Sequence, residues 1–318
     1  MIDRGTLAIT FKAKFRRSGL VLAFLALCVV LSILSDRFLT LPNALNILRQ
    51  SSINGIIAVG MTLVILTAGI DLSVGSVLAL SSVITAQLLV KGLPPLMAFF
   101  SGLLVGALLG LFNGILVTLF SLPPFVATLG TMTFARGLAL SFTQGKPITG
   151  LPESFRILGT GFLGPIPVPV IIVLAVFFIG VIFLNFTSQG ERLYALGNNP
   201  VAARFTGIPV KFYLIMVYCI AGILAALAGK ILIARLDSAQ PVMGMGYELD
   251  AIAAVVVGGA NFNGGSGGLV GTLIGVLFIV VINNGLNLLN IPSFWGQVVK
   301  GAVIAMALLL NRASVSED

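Results

Sequence analysis

ILTAGID, residues 65–71, and ILIARLD, residues 231–237, stand 166 positions apart in one chain. A second pair, GLLVGALLG at 102–110 and GGLVGTLIG at 267–275, repeats almost the same spacing, at 165. Two echoes at nearly one offset point to an internal duplication. The offset covers five apolar segments, an odd number, so the second copy would cross a bilayer upside down. That is the logic of inverted-repeat transporters, in which solute is handled between the two halves.

The composition supports a bilayer setting. Of the 318 residues, 58% are hydrophobic and 9% charged, with a mean hydropathy of +1.13. A soluble domain carries about 25% charged residues. A spanning helix needs roughly 20 apolar residues, and ten segments qualify: 19–35, 51–68, 72–90, 95–120, 125–143, 167–186, 211–230, 248–260, 268–289 and 294–311. The eighth is only 13 residues long and reads as a half-helix or re-entrant segment. The expected fold is therefore all-α and polytopic, with about ten transmembrane helices arranged as two inverted five-helix repeats in a single domain, 1–318.

The net charge of +8 belongs to membrane orientation rather than nucleic acid, because the basic residues are scattered and no basic patch interleaves with aromatics. Arg4, Lys12, Lys14, Arg16 and Arg17 precede the first span, against Arg37 and Arg49 after it. This places 1–18 in the cytoplasm, and ten spans return 312–318 with Arg312 to the same side. The apolar run from Leu20 to Leu34 lacks an A-x-A-like cleavage site and reads as an uncleaved first helix.

Enzymatic chemistry finds little support. There is no histidine, and Cys28 and Cys219 sit inside apolar runs, so no metal site or His-dependent triad is expected. GGSGG lacks the following Lys-Ser or Lys-Thr of a phosphate loop, and GKPIT at Gly145 has proline where that hydroxyl belongs. Any ATP-driven work must come from another subunit. Glu248 and Asp250, two apart on a helix, point to different faces and do not form an acid–base dyad. No catalytic residue and no cofactor are expected.

The polar residues inside the spans are few. A carboxylate at the centre of a span costs about 2.5–3.5 kcal/mol. Asp71, with Ser73 nearby, reads either as a cap in a break between helices or as an ordinary tight turn. Glu248 and Asp250 sit where acids favour a helix N-terminus, before six glycines between Gly258 and Gly268. Asn54, Asn113, Asn283, Asn284 and Asn287 read as interhelical glue or as a neutral polar lining. Only Arg136 and Lys300 stand out as in-span bases.

One polar island remains, SQGERLYALGNNPVAARFTGIPVK at 188–211. Asn199 suits an N-cap, Pro200 the first helical position and Gly207 the stop, which predicts a short helix closed by Ile208-Pro209. Val201 and Phe205 share a face, and Arg204 projects elsewhere. The helix either rests on lipid or fits a groove on a cytoplasmic partner.

The segments GMTLVILTAGIDLSVGS, YALGNNPVAARFTGI, ARLDSAQP, GYELDAIAAVVVGGA, GLVGTLIG and NNGLNLL together resemble the membrane permease of bacterial ribose-type ABC importers, from about residue 50 to 311. The resemblance implies transport of a monosaccharide, ribose first, across the inner membrane. It implies a cytoplasmic ABC ATPase subunit, a periplasmic sugar-binding protein and a second permease copy as partners within the bilayer. It makes 188–210 the ATPase-coupling loop, with Asn198, Asn199, Pro200, Ala202, Ala203, Arg204, Gly207 and Pro209 in the docking segment. Asp71, Glu248 and Asp250 carry over to the pathway side. The alternatives are another sugar, a nucleoside or a signalling furanose as cargo, or a stand-alone ion-coupled secondary transporter.

Overall fold

The computed structural model of the chain describes residues 4–292, 294–299, 301–302 and 305–306. The helices are α1 (Arg4–Leu34), α2 (Leu41–Leu66), α3 (Val74–Val90), α4 (Pro95–Thr118), α5 (Pro124–Thr143), α6 (Glu153–Thr160), α7 (Val168–Phe186), α8 (Ser188–Asn198), α9 (Pro200–Phe205), α10 (Val210–Leu236), α11 (Tyr247–Val257) and α12 (Leu269–Leu288). Strands β1 (Ile148–Thr149) and β4 (Ser238–Ala239) pair antiparallel, as do β2 (Phe162–Leu163) and β3 (Ile166–Pro167). Proline opens the first turn of α2, α4, α5, α7 and α9, where its missing N–H leaves no helical bond unmade.

Among the described residues, six helices are long and apolar enough to cross a membrane: α2, α4, α5, α7, α10 and α12. The apolar part of α1 (Gly19–Leu34) and α3 are shorter. The first nine expected spans each coincide with a helix. The eighth, α11, has 11 residues, and at about 1.5 Å per residue its length of roughly 16 Å falls well short of a 30 Å hydrocarbon core. The tenth expected span, 294–311, lies only partly within the described residues, and Lys300 and the tail 312–318 lie outside them.

Helices α2, α3 and α10 form the buried centre. Helix α10 packs along α2, α3 and α4, while α12 packs along α2 and α11. The α4–α10 contact is made by glycine. A Cβ at Gly102, Gly106, Gly110 or Gly114 would lie within 2.7 Å of a heavy atom of α10, and at the last three positions within 3.1 Å of its backbone. Lipid gives no hydrophobic drive between helices, so this close approach is the source of the attraction.

Contacts fix the direction of each helix. Asn43 meets Asn284 and Thr62 meets Thr272, so α2 and α12 run antiparallel. Arg235 meets Asn46 while Gly60 lies against Ala221, so α2 and α10 are also antiparallel. The α7–α10 connection, the α2–α3 break and the α11–α12 turn gather at one end, called here the near end. The N–H of Gly265 bonds the Leu66 carbonyl there at 2.9 Å, and Asn198 Nδ2 donates to the Gly265 carbonyl at 3.3 Å. Helices α2, α4, α7 and α11 run toward the near end, and α3, α5, α10 and α12 run away from it.

Lys230 is an in-span base that the sequence reading did not single out, because α10 continues six residues beyond the expected span to Leu236. It is fully buried, and its Nζ has no hydrogen-bond partner among the described residues. A buried donor left unsatisfied costs about 1–3 kcal/mol. Lys230→Met, similar in shape and without the amine, is therefore expected to raise the melting temperature of the solubilised protein by several degrees. A fall would mean that the amine holds a partner such as an internal water.

Candidate functional site

The α2–α3 break is closed by a short polar chain. Asp71 Oδ1 accepts from the Ser73 N–H at 2.8 Å and from Ser73 Oγ at 2.6 Å, and Asn113 Nδ2 donates to Ser73 Oγ at 2.8 Å. All three residues are buried. Asp71 thus folds the turn just ahead of α3, whose N-cap residue is Ser73, and Asn113 ties that turn to α4. Asn284 exchanges side-chain bonds with Asn43 at 2.8 and 3.1 Å, which joins α12 to α2. Asn54 is buried in α2 and Asn283 half-buried in α12.

The α10–α11 connection turns back into the protein. After β4 it passes Pro241 and Met243, whose carbonyls accept from Arg136 NH1 of α5 at 2.6 and 2.8 Å. It then reaches Gly75 on α3. A Cβ on Gly75 would stand 2.2 Å from the Gly244 carbonyl oxygen and 2.6 Å from Glu248 Oε2, so only glycine admits this approach. The result is that α3 and α11, which run in opposite directions, begin side by side inside the protein. Two helix N-termini meeting at depth supply N–H groups and positive dipole ends to one place.

A cleft of about 400 Å³ opens beside this junction, with Ser76, Thr133, Arg136, Met245, Gly246 and Glu248 among its lining residues. Glu248 Oε1 accepts from the Gly246 N–H at 3.1 Å. Asp250, two residues on, is buried away from solvent, consistent with the different faces expected of the two acids. No ion pair joins Arg136 to Glu248 among the described residues, where the one bridge is Arg156–Asp237 at 3.8 Å on another surface. Walls that are mostly apolar with a few polar groups suit a small neutral solute. Ser76 and Thr133 were not legible as partners in this cleft, because they come from two helices that only the fold brings together.

The near end carries the polar island, which forms two helices rather than one. Thr187 caps α8 by accepting from the Gly190 N–H at 3.3 Å. Asn199 caps α9 by accepting from Val201 and Ala202 N–H groups at 3.0 and 2.9 Å, as its sequence position predicts. Gly207 follows with φ +83°, the left-handed conformation of a helix stop. Arg192 NH1 donates to the Tyr213 hydroxyl at 2.9 Å, and that hydroxyl donates to Gln189, so α8 is tied to α10. A Cβ on Gly197 would stand 1.9 Å from the Leu66 carbonyl oxygen, which locks α8 against the end of α2.

Within α9 only Ala203 is buried. Val201 is 63% and Phe205 88% exposed, and Asn198, Asn199, Pro200, Ala202, Arg204, Gly207 and Pro209 are exposed around them. Phe205 is the most exposed large apolar side chain among those described.

The family model for the "branched-chain amino acid transport system / permease component" matches residues 43–308. The chain is 51% identical over 306 residues to the ribose import permease RbsC of Bacillus subtilis, covering 96% of this chain and 95% of that protein. It is 45% identical over 304 residues to the ribose import permease RbsC of Escherichia coli K12, covering 94% and 95%. It is 41% identical over 294 residues to the D-allose transport system permease AlsC of the same strain, covering 91% and 90%. A multi-pass apolar helical protein with these likenesses over nearly its whole length belongs to this permease-component family of transport systems.

Proposed function

We propose that this chain is the membrane permease subunit of an ATP-driven importer that carries ribose across the bacterial inner membrane by alternating access. The observation that carries the reading is the 51% identity, over more than nine-tenths of both chains, to a permease named for ribose import. The chain itself is then a transport subunit without a nucleotide site, and a cytoplasmic ATPase and a sugar-binding protein act with it.

The helix directions support two inverted five-helix repeats. Pairing α2 with α10, α3 with α11 and α4 with α12 matches helices of opposite direction, and α1 with α7 and α5 with the segment after residue 294 complete the two sets of five. The two echoed sequences 65–71 and 231–237 then fall at equivalent breaks. The near end is cytoplasmic, since the 188–211 island brings Arg192, Arg204 and Lys211 there. The same orientation puts 1–18 in the cytoplasm and, with a tenth span, the tail 312–318. Helix α9 is the knob that the ATPase grips. Its motion reaches the pathway through the Leu66–Gly265 and Asn198–Gly265 bonds, which adjoin the breaks on both sides. The cleft opens on the face of α5 where Thr133 and Phe134 are exposed, so a second permease copy across that face would enclose the route.

The likeness to an allose permease at 41% favours a neighbouring cargo as the second reading. Uptake of labelled ribose and allose is tested in proteoliposomes holding this permease with a ribose-type ATPase and its binding protein. ATP-dependent ribose uptake that survives collapse of ion gradients is expected. Uptake that needs a gradient and no ATPase would replace this reading with a secondary transporter.

A further inference from the structure

Resting on the reading as a monosaccharide permease, we infer that Arg136 and Glu248 form a hydroxyl-recognising subsite for the passing sugar, so the permease itself contributes to substrate selection. In the simplest picture an importer of this kind leaves selection to the binding protein. The cleft argues otherwise, on three observations.

The first is chemical. A carboxylate and a guanidinium face the same cleft from α11 and α5 without bonding each other. A carboxylate accepts hydrogen bonds from two hydroxyls, and a guanidinium donates to hydroxyl and ring oxygens. The two groups attract each other across the cleft but share no ion pair or hydrogen bond among the described residues, so each keeps hydrogen-bonding capacity that a polar solute between them can satisfy. An uncharged polyhydroxylated solute does so without carrying a net charge through the bilayer.

The second is geometric. Arg136 is held by the Pro241 and Met243 carbonyls, both on NH1, and its Nε and NH2 have no hydrogen bond among the described residues. Glu248 is held by the Gly246 N–H through Oε1, and its Oε2 rests against Gly75 at the start of α3. Both groups are therefore fixed before substrate arrives, which lowers the entropy cost of recognising it. The volume of about 400 Å³ lies within the range of about 300–1,000 Å³ for small-molecule sites.

The third is position. The cleft sits where α3 and α11 start, between the two ends of the helices, and opens sideways through the exposed face of α5. The strap that Arg136 grips, residues 238–246, is the same one that places Glu248. A change in this strap during the transport cycle would move both groups together and release the sugar.

The test uses the complete transporter, permease with ATPase and binding protein, in proteoliposomes. Initial uptake rates are compared for a pentose and its analogue lacking one hydroxyl, each at concentrations that saturate the same binding protein. A site that hydrogen-bonds a hydroxyl rejects the analogue because its polar groups are left unmatched. The wild type is expected to prefer the full pentose, and Glu248→Gln and Arg136→Lys are each expected to shrink that preference about tenfold. A lesion that only distorted the fold would slow both sugars alike and leave the ratio unchanged. An unchanged ratio in both variants overturns the subsite. A wild type that takes up neither sugar overturns the parent reading instead, and the two failures are thus told apart.

Discussion

Gly106→Leu is expected to abolish recovery of folded permease from the membrane. The Cβ alone would stand 2.4 Å from the Gly222 carbonyl oxygen and 2.6 Å from the Ala226 side chain. Neither can turn away as the tip of a long side chain could, because both belong to or sit directly on the backbone of α10. The helices would have to separate, and Gly102, Gly110 and Gly114 would lose their contacts in the same movement. Overpacking of a core costs about 1–3 kcal/mol where neighbours can yield. Here they cannot, and the loss falls on a seam whose attraction depends on close approach. The measurement is the monodisperse fraction in size-exclusion chromatography after detergent extraction, with Gly130→Leu as the control. No heavy atom lies within 4 Å of a Cβ at Gly130, so that variant is expected to behave as wild type. Equal recovery of both variants would show that α4 and α10 tolerate separation, and the seam would lose its structural role.

Charge reversal and apolar loss on α9 are expected to uncouple the permease without unfolding it. Arg204 and Phe205 are both exposed at the near end, and neither contributes to the core. Arg204→Glu and Phe205→Asp should therefore insert and solubilise normally. If α9 fills a groove on an ATPase, burial of Phe205 is worth about 1.5–3 kcal/mol, which is roughly tenfold or more in affinity. Co-purification of a ribose-type ATPase is expected to fall at least tenfold in each variant, with transport falling alongside. Retention of the ATPase by both variants would remove α9 from the coupling role and leave its exposed apolar face for the lipid surface.

Local chemistry was legible in the chain before any fold. Asn199, Pro200 and Gly207 delimit α9 because capping, a preset φ and a left-handed stop are properties of single residues and their immediate neighbours. The same holds for the apolar spans, whose length is set by bilayer thickness, and for the break at Asp71. The 13-residue eighth segment was the weakest of the ten expected spans, and α11 is shorter still. The second helix of the polar island, α8, was not distinguished, because its amphipathic face is defined by what it packs on, Leu66 and Tyr213.

The cleft belongs to the tertiary structure. Arg136 and Glu248 are 112 positions apart, and each alone was an ambiguous charge in an apolar run. They meet because the 238–246 strap turns inward and because Gly75 leaves room for Glu248 beside α3. Lys230 shows the same division, since its burial depends on α4 offering a glycine opposite it. The chain by itself determined the membrane setting, the long apolar helices and the caps, all of which follow from periodicity and short-range bonding. Which polar groups became glue and which line a cleft was decided only when helices far apart in sequence came into contact, because burial and hydrogen-bond partners are properties of neighbours in space.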